Sequence, residues 1–426
     1  MDQSLESDAH RDPELPSNSS EAVSPNSDTY MDTEKTQSGS VKPPPEIQRA
    51  TPKSPNETVQ RIESGYSAWY IILGGWCGQF CTFGLANCIG VFVTYYAEGP
   101  LSSYSPSTIS WITSVQVWSM VFFGLFFGRI FDLYGPRYLL ILGSLAYITG
   151  LMMISVSKEY YQFFQAQAVL ASVGSAAVFN ACISSAAAWF SPMRTKRKNM
   201  TATALGIMSS EGTKGAATSK KKFTWGAVIG GFKELPFVLT VVASFLFFWG
   251  VFLPLSYILL QAKDLGLDEN VVEYLLPIIN AVSIIGRIFP AIAADRVGRF
   301  NVMILVCALS SIVTLGIWIP GKSVAAIILY AVLFGLSSGG FISLLPAVIA
   351  QVSPEISQMG VRTGAAFAVA SFGSLTGSPI AGAVVSAQGG SYLGLQIFCG
   401  CTILASVLVF VAARGVQVGF LVLKKV

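Results

Sequence analysis

The sequence predicts an all-α polytopic membrane protein whose two halves repeat one helix order. Three observations carry that expectation. Of the 426 residues, 52% are hydrophobic and only 12% charged, with a mean hydropathy of +0.59, where an ordinary soluble domain carries about 25% charged residues. Apolar runs recur from Trp69 to the C-terminal region, each of about 18 residues or more, enough to cross a hydrocarbon core of about 30 Å. A loop motif, D-x-x-G with a basic residue close behind, occurs twice.

The runs are, in order, Trp69–Tyr95, Ile109–Phe127, Tyr138–Val156, Phe163–Phe190, Phe237–Leu260, Val272–Ala293, Val302–Ile319, Val324–Val352, Thr363–Ala387 and Leu393–Ala413. Each is expected to be a helix, because a closed helix satisfies its own backbone where lipid offers no partners. The reading divides the chain into a tail (1–65), a four-span bundle (66–198), a polar link (199–236), a six-span bundle (237–413) and a second tail (414–426).

Charge placement orients the spans. Of 27 Lys and Arg, only Lys158, Lys263 and Lys322 fall in alternate loops on one face, so both tails and the link are expected on the cytoplasmic side. The first tail is rich in Ser, Pro and acidic residues and is expected to be disordered. It has no apolar stretch like that of a signal peptide, so the first span is expected to act as the targeting signal. Asn18 and Asn56 head glycosylation-type triplets but lie on the cytoplasmic side of this topology. The seven cysteines all fall inside spans, where they serve as small hydrophobes.

The two motif copies are GRIFDLYGPR (Gly128–Arg137) and ADRVGR (Ala294–Arg299), with Asp132 and Asp295 standing 163 residues apart. A second stretch, Thr201–Gly215, lies over Thr363–Gly377 at an offset of 162. Two stretches in nearly one register indicate a duplication with a shared helix order, as in transporters built from parallel repeats. In the second half the matching helix runs on into a further span. In the first it turns polar at Glu211, Lys214 and the Lys220–Lys222 cluster, leaving a stub at Ala202–Ser210 too short to cross.

GRIFDLYGPR resembles the signature loop of the major facilitator superfamily. More closely, ESGYSAWYIILGGW (Glu63–Trp76), ALGIMSS (Ala204–Ser210), FKELPF (Phe232–Phe237) and FLFFWGVFLPLSYILLQA (Phe245–Ala262) resemble the fungal monocarboxylate-porter-like branch, over residues 62–413. The resemblance implies two six-helix bundles that rock about a central site and carry a small organic anion or metabolite, coupled in some members to protons. It implies no cofactor. Helices five and six of that pattern have no counterpart here, and the Lys-rich link stands in their place.

Arg287 is the charge to watch. A charge within a span costs at least about 2.5 kcal/mol unless it faces a cavity or partner. Its position matches a helix-eight arginine that the family uses to hold a carboxylate, a task suited to a fork of parallel donors. The alternative is that Arg287 snorkels to the cytoplasmic face. Where family members place further ionisable groups, this sequence has Ser283 and Asn87. Asn87, Asn180, Tyr257 and Asn280 are the remaining candidate substrate contacts, each with helix-to-helix bonding as its alternative. Gln116 is a weaker candidate of the same kind.

For the repeated turn, Gly128, Asp132, Gly135 and Arg137 with Asp295, Gly298 and Arg299 are candidate gating residues whose charge contacts would form in one conformation and break in another. A static loop contact is the alternative. Glycine pairs at four-residue spacing (Gly74/Gly78, Gly124/Gly128, Gly335/Gly339, Gly373/Gly377) are read as internal packing, so a monomer is expected.

GLSSG (Gly335–Gly339) matches the nucleophile-elbow pattern, but it lies in mid-span and the sole histidine is His10 in the tail. Enzyme chemistry is therefore not expected, and no metal or nucleic-acid partner is implied. The rival function is a transporter-like membrane protein that senses a ligand or binds a partner through its basic flanks at Arg194–Lys198 and Lys220.

Overall fold

The computed structural model describes residues 66–190, 230–353 and 359–418. The tail 1–65, the Ala202–Ser210 stub, the basic flank Arg194–Lys198, the Lys220 cluster and residues 419–426 lie outside the described residues, as does the side chain of Asp132.

The helices in chain order are α1 (Tyr66–Asn87), α2 (Ile89–Glu98), α3 (Pro106–Phe122), α4 (Gly124–Tyr134), α5 (Pro136–Val156), α6 (Tyr160–Phe163), α7 (Ser172–Phe190), α8 (Leu235–Asp264), α9 (Glu269–Val297), α10 (Arg299–Val313), α11 (Val324–Gln351), α12 (Met359–Ala387) and α13 (Leu393–Val418). Wider π turns occupy Phe164–Ala171 between α6 and α7 and Thr314–Trp318 after α10. Among the described residues nine helical segments are long and apolar enough to cross a membrane, and α1 and α2 form a tenth, bent by 43°. Each expected span thus has a counterpart, four in the first half and six in the second.

Local signals start several of these helices. Ser105 accepts from the Thr108 N–H at 3.2 Å ahead of Pro106, and Ser323 accepts from the Ala326 N–H at 3.3 Å; both satisfy amides that the first turn leaves without partners. The break in the first span follows no proline. It falls at Cys88, two residues before Gly90, where a Cβ would run into the Leu255 carbonyl of α8. Close crossing by another helix accompanies the bend.

The repeated turn has one backbone solution in both halves. Gly135 (φ 76°) ends α4 and begins α5, and Gly298 (φ 110°) ends α9 and begins α10. Their N–H groups donate to the carbonyls of Phe131 and Ala294 at 2.8 and 3.0 Å. Positive φ is the physical reason for glycine at both places.

Across the halves α2 packs on α8 and α3 packs along α12; within the second half α9 lies along α11 and α8 lies between α12 and α13. Gly335 and Gly339 sit against the α9 backbone at Ile279 and Ser283, and Gly373 and Gly377 against the α8 backbone near Phe245 and Trp249. Gly78 meets Cys182 and Gly124 meets Asn180, whereas Gly74 and Gly128 face open space. Six of the eight paired glycines therefore serve internal packing, and two do not.

The apolar core is continuous at one end of the bundle. There Ile89, Tyr96 and Ile112 of the first half share a cluster with Phe247, Tyr257 and Leu276 of the second. Towards the other end the first half keeps separate small clusters, Ala86–Met120–Phe179–Ile183 and Leu139–Ala177–Ala181. The halves thus share one core at the Glu98 end, and towards the Gly135 end they stay in contact through α12, whose Phe372 meets Trp118 and Phe122 and whose Gly364 seats against Leu125 of α4.

Candidate functional site

Where the cores part, two helices face each other through side chains. Phe83 on α1 stacks on Phe179 of α7 with centroids 5.9 Å apart, and it packs on the small cluster that holds Met120 and Ile183. Opposite stands Arg287 of α9, whose guanidinium carbon lies 5.2 Å from the Phe83 ring centroid. Arg287 sits 18 residues after the start of α9, about 27 Å along it at 1.5 Å per residue. Its head is directed across to the first half rather than along its own helix. A cation over a ring face is attracted by the ring quadrupole, more strongly where water is scarce.

Two further predicted residues lie near this position, and two are used elsewhere. Asn87 is one turn beyond Phe83 and ends α1 at the helix break. Asn280 lies seven residues before Arg287 on α9 and is half-buried; its carbonyl accepts from the Ser283 hydroxyl at 2.8 Å. Asn180 donates to the Ala176 carbonyl at 2.7 Å and its amide seats against Gly124, so its position is that of a packing residue within the first half.

Tyr257 is fully buried at the closed end. Its hydroxyl donates to the Ser378 carbonyl of α12 at 3.1 Å and shares a hydrogen bond with Ser110 of α3. Ser107 adds a bond to the Pro379 carbonyl at 2.9 Å, and a Cβ on Gly382 would lie 2.6 Å from the Tyr257 hydroxyl. These residues fasten α3 to the second half.

At the repeated turns Arg299 donates to the Ala347 carbonyl at 3.2 Å, tying α10 to α11. Arg137 and Asp295 are exposed, and no ion pair between the two motif copies forms among the described residues.

Three arrangements were not singled out from sequence. Lys263 at the end of α8 meets both carboxylate oxygens of Glu98 at the end of α2, at 2.7 and 2.8 Å. Arg362 of α12 holds Glu234 with two bonds of 2.7 Å and lies over Phe237; this bidentate contact holds the Glu234 carboxyl below its ordinary range. In the first half Tyr96 donates to Gln167, which donates to Gln116 at 2.8 Å. Gln167 is presented by the π turn, where the widened helix displaces its side chain into the core. A charge pattern flags the first two only by type, since the partners stand 165 and 128 residues apart.

A family model described as Major Facilitator Superfamily matches residues 75–210 and 237–420. The chain belongs to the Major Facilitator Superfamily. Among its relatives are "MFS-type transporter 1" of an Ophiocordyceps species, 36% identical over 88% of this chain and 92% of that protein, and "MFS transporter asaE" of Aspergillus flavus, 35% identical over 84% and 89%. A third, the "Fujikurins efflux protein" of Gibberella fujikuroi, is 31% identical over 83% of each. The fold is similar to the crystal structure of the nucleoside transporter NupG, with a TM-score of 0.60, 13% identity and coverage of 82% of this chain and 99% of that one. This major facilitator chain is a multi-pass membrane transporter, and its family and fold are those of transporters rather than enzymes.

Proposed function

We propose that the protein is a secondary carrier that exports a small organic anion by alternating access, with Arg287 as the carboxylate-holding residue. The observation that carries the reading is the Arg287 guanidinium held over Phe83 across the two halves, where the cores part. A planar guanidinium can give two parallel bonds to one carboxylate. The fastened end at Tyr257, Ser110 and Glu98–Lys263 supplies one of the two closures that alternating access needs. Asn87 and Ser283 lack the ionisable groups of an obvious proton carrier, so the coupling ion is left to measurement. Export is supported by relatives named as efflux proteins, and both tails are assigned to the cytoplasm on charge placement.

The first bundle is read as lacking helices five and six. In the first-named relative 88% of 426 residues is about 375, which leaves about 44 of 419 aligned positions without a counterpart. The family match likewise breaks between 210 and 237. Packing supports the same reading. α3 lies along α12, whereas among the described residues its counterpart α9 lies along no first-half helix and touches that half at isolated points, Arg287 on Phe83 and Leu276 beside Gly90. That asymmetry also favours a second reading, a chain that binds its ligand without moving it.

Reconstituted vesicles separate the two. Efflux of a radiolabelled carboxylate that falls to background in Arg287→Ala supports the carrier. Saturable binding without flux supports the second reading.

A further inference from the structure

We infer that the first half bends within itself: its Gly135 end swings as one piece, hinged at Cys88, at Phe123 and at the first π turn, while its Glu98 end stays fixed to the second half. The motion belongs equally to a carrier and to a chain that only binds, so it stands apart from the ligand at Arg287. Three of the first-half spans are interrupted. The first breaks between α1 and α2 at Cys88 with a bend of 43°, the second has a turn at Phe123 between α3 and α4, and the fourth carries the π turn Phe164–Ala171 ahead of α7. None of these interruptions falls at a proline, the usual cause of a broken helix. The core divides close to each of them: Ile89, Val117 and Ala168 belong to the core shared with the second half, whereas Ala86, Met120 and Phe179 form a separate cluster.

On the Glu98 side of the interruptions the ties run across the halves. α2 is held by the Gly90 crossing on Leu255 and by Glu98 on Lys263, and α3 by Ser110 on Tyr257 and Ser107 on the Pro379 carbonyl. Tyr96, Gln167 and Gln116 bind α2, the π turn and α3 to one another. Just ahead of Phe123, Trp118 and Phe122 rest on Phe372 of α12 at 5.9 and 5.8 Å, a fulcrum between the fixed and the moving parts. On the Gly135 side the ties run within the first half. Gln79 donates to the Phe179 carbonyl at 3.2 Å, Tyr147 of α5 donates to the Cys81 carbonyl at 2.8 Å, and Leu139, Ala177 and Ala181 pack with Phe127 and Phe131 of α4. α5 is unbroken, and beside the π turn it meets Ala171 through Gly150, a contact without interlocking side chains. This piece touches the second half through the Phe83 ring on Arg287 and through Leu125 on Gly364, contacts that part without breaking a hydrogen bond.

The test is a distance measurement by double electron-electron resonance on the full-length protein in nanodiscs, with spin labels on p-acetylphenylalanine so that the native cysteines stay. One label pair, at Tyr134 and Val297, spans the halves at the Gly135 end; the other, at Ser103 and Lys322, spans them at the Glu98 end, and all these positions are exposed. The piece is displaced by Gly364→Val, a wedge against Leu125, and independently by Phe83→Ala. α4 is about 15 Å long at 1.5 Å per residue, so a further bend of about 20° at Phe123 carries its tip about 5 Å. In either variant the first pair is therefore expected to lengthen by about 5 Å while the second keeps its distance. With Asn87→His and Val91→His, one turn apart across the break, Zn2+ is expected to abolish that lengthening; the same clip at Tyr138 and Leu142 on unbroken α5 is expected to leave it. A reciprocal shift of the second pair would show whole halves rocking and overturn the hinge. So would lengthening that survives the clip across Cys88 or is abolished equally by the α5 clip, and so would a first pair unchanged in both variants.

Discussion

Gly90 and Leu255 touch where α2 crosses α8: a Cβ on Gly90 would run into the Leu255 carbonyl oxygen. At the ends of the same two helices Glu98 meets Lys263. The first span of the first half thus crosses α8, the first span of the second, through these two contacts. Gly90→Val is expected to destabilise the detergent-solubilised protein by about 1–3 kcal/mol, the usual scale of overpacking. Gly84→Val is the control, since nothing lies within 4 Å of its Cβ. Equal melting temperatures for the two variants would remove the crossing from the account.

Tyr257→Phe deletes the hydroxyl that joins Ser110 to Ser378. A net hydrogen bond of about 1 kcal/mol shifts a two-state equilibrium roughly fivefold. In a cysteine-free background with Ser107→Cys, labelling by an impermeant maleimide is expected to quicken by about that factor. Gly382→Ala is expected to act in the same direction, because the added methyl meets the Tyr257 hydroxyl and Ser107. Unchanged labelling in both would show that this end is held shut by other means.

The Glu98–Lys263 pair is about half and one-third exposed respectively, and pairs of this kind contribute about 0.2–1 kcal/mol. Glu98→Lys is expected to raise the same labelling rate about two- to fivefold, and adding Lys263→Glu to restore most of the original rate. At about 1 M salt the single reversal should have little effect, since the Debye length is then about 3 Å. A double reversal no better than the single one would argue against a direct pair.

Glu234 is held below the ordinary carboxylate range chiefly by its hydrogen bonds from Arg362. A group depressed in the folded state contributes stability that is fully present above the unfolded value, about 4.3 for Glu, and is lost as pH falls through the lowered one. Thermal melts are therefore expected to show a loss in this acid window that disappears in Glu234→Gln. Because the Glu234 side chain is 38% exposed, solvent screening keeps the effect small. A loss of equal size in the variant would assign the acid sensitivity to other groups.

Much of the fold was legible because span length and hydropathy are imposed by the bilayer. The turn glycines Gly135 and Gly298 were legible because one positive-φ requirement recurs at a fixed interval. The break at Cys88 was not, since hydropathy runs unchanged through it and its setting is a crossing with α8. At the site, Arg287 announced itself as a charge among apolar neighbours. Phe83 did not, because one of 28 phenylalanines carries no mark until the fold places it beneath a guanidinium. Tyr257 was visible as a polar group inside a span, but its partner Ser110 lies 147 residues away. Only packing reveals that Tyr257 serves the closed end.

The claim that the chain carries an organic anion on Arg287 is tested most directly by efflux of a radiolabelled monocarboxylate from proteoliposomes. The wild type should release label faster than protein-free vesicles. Arg287→Gln should lose at least about 90% of that rate, because a carboxylate without its charge-assisted partner forfeits about 1.5–3 kcal/mol. Equal efflux by the two proteins would contradict it.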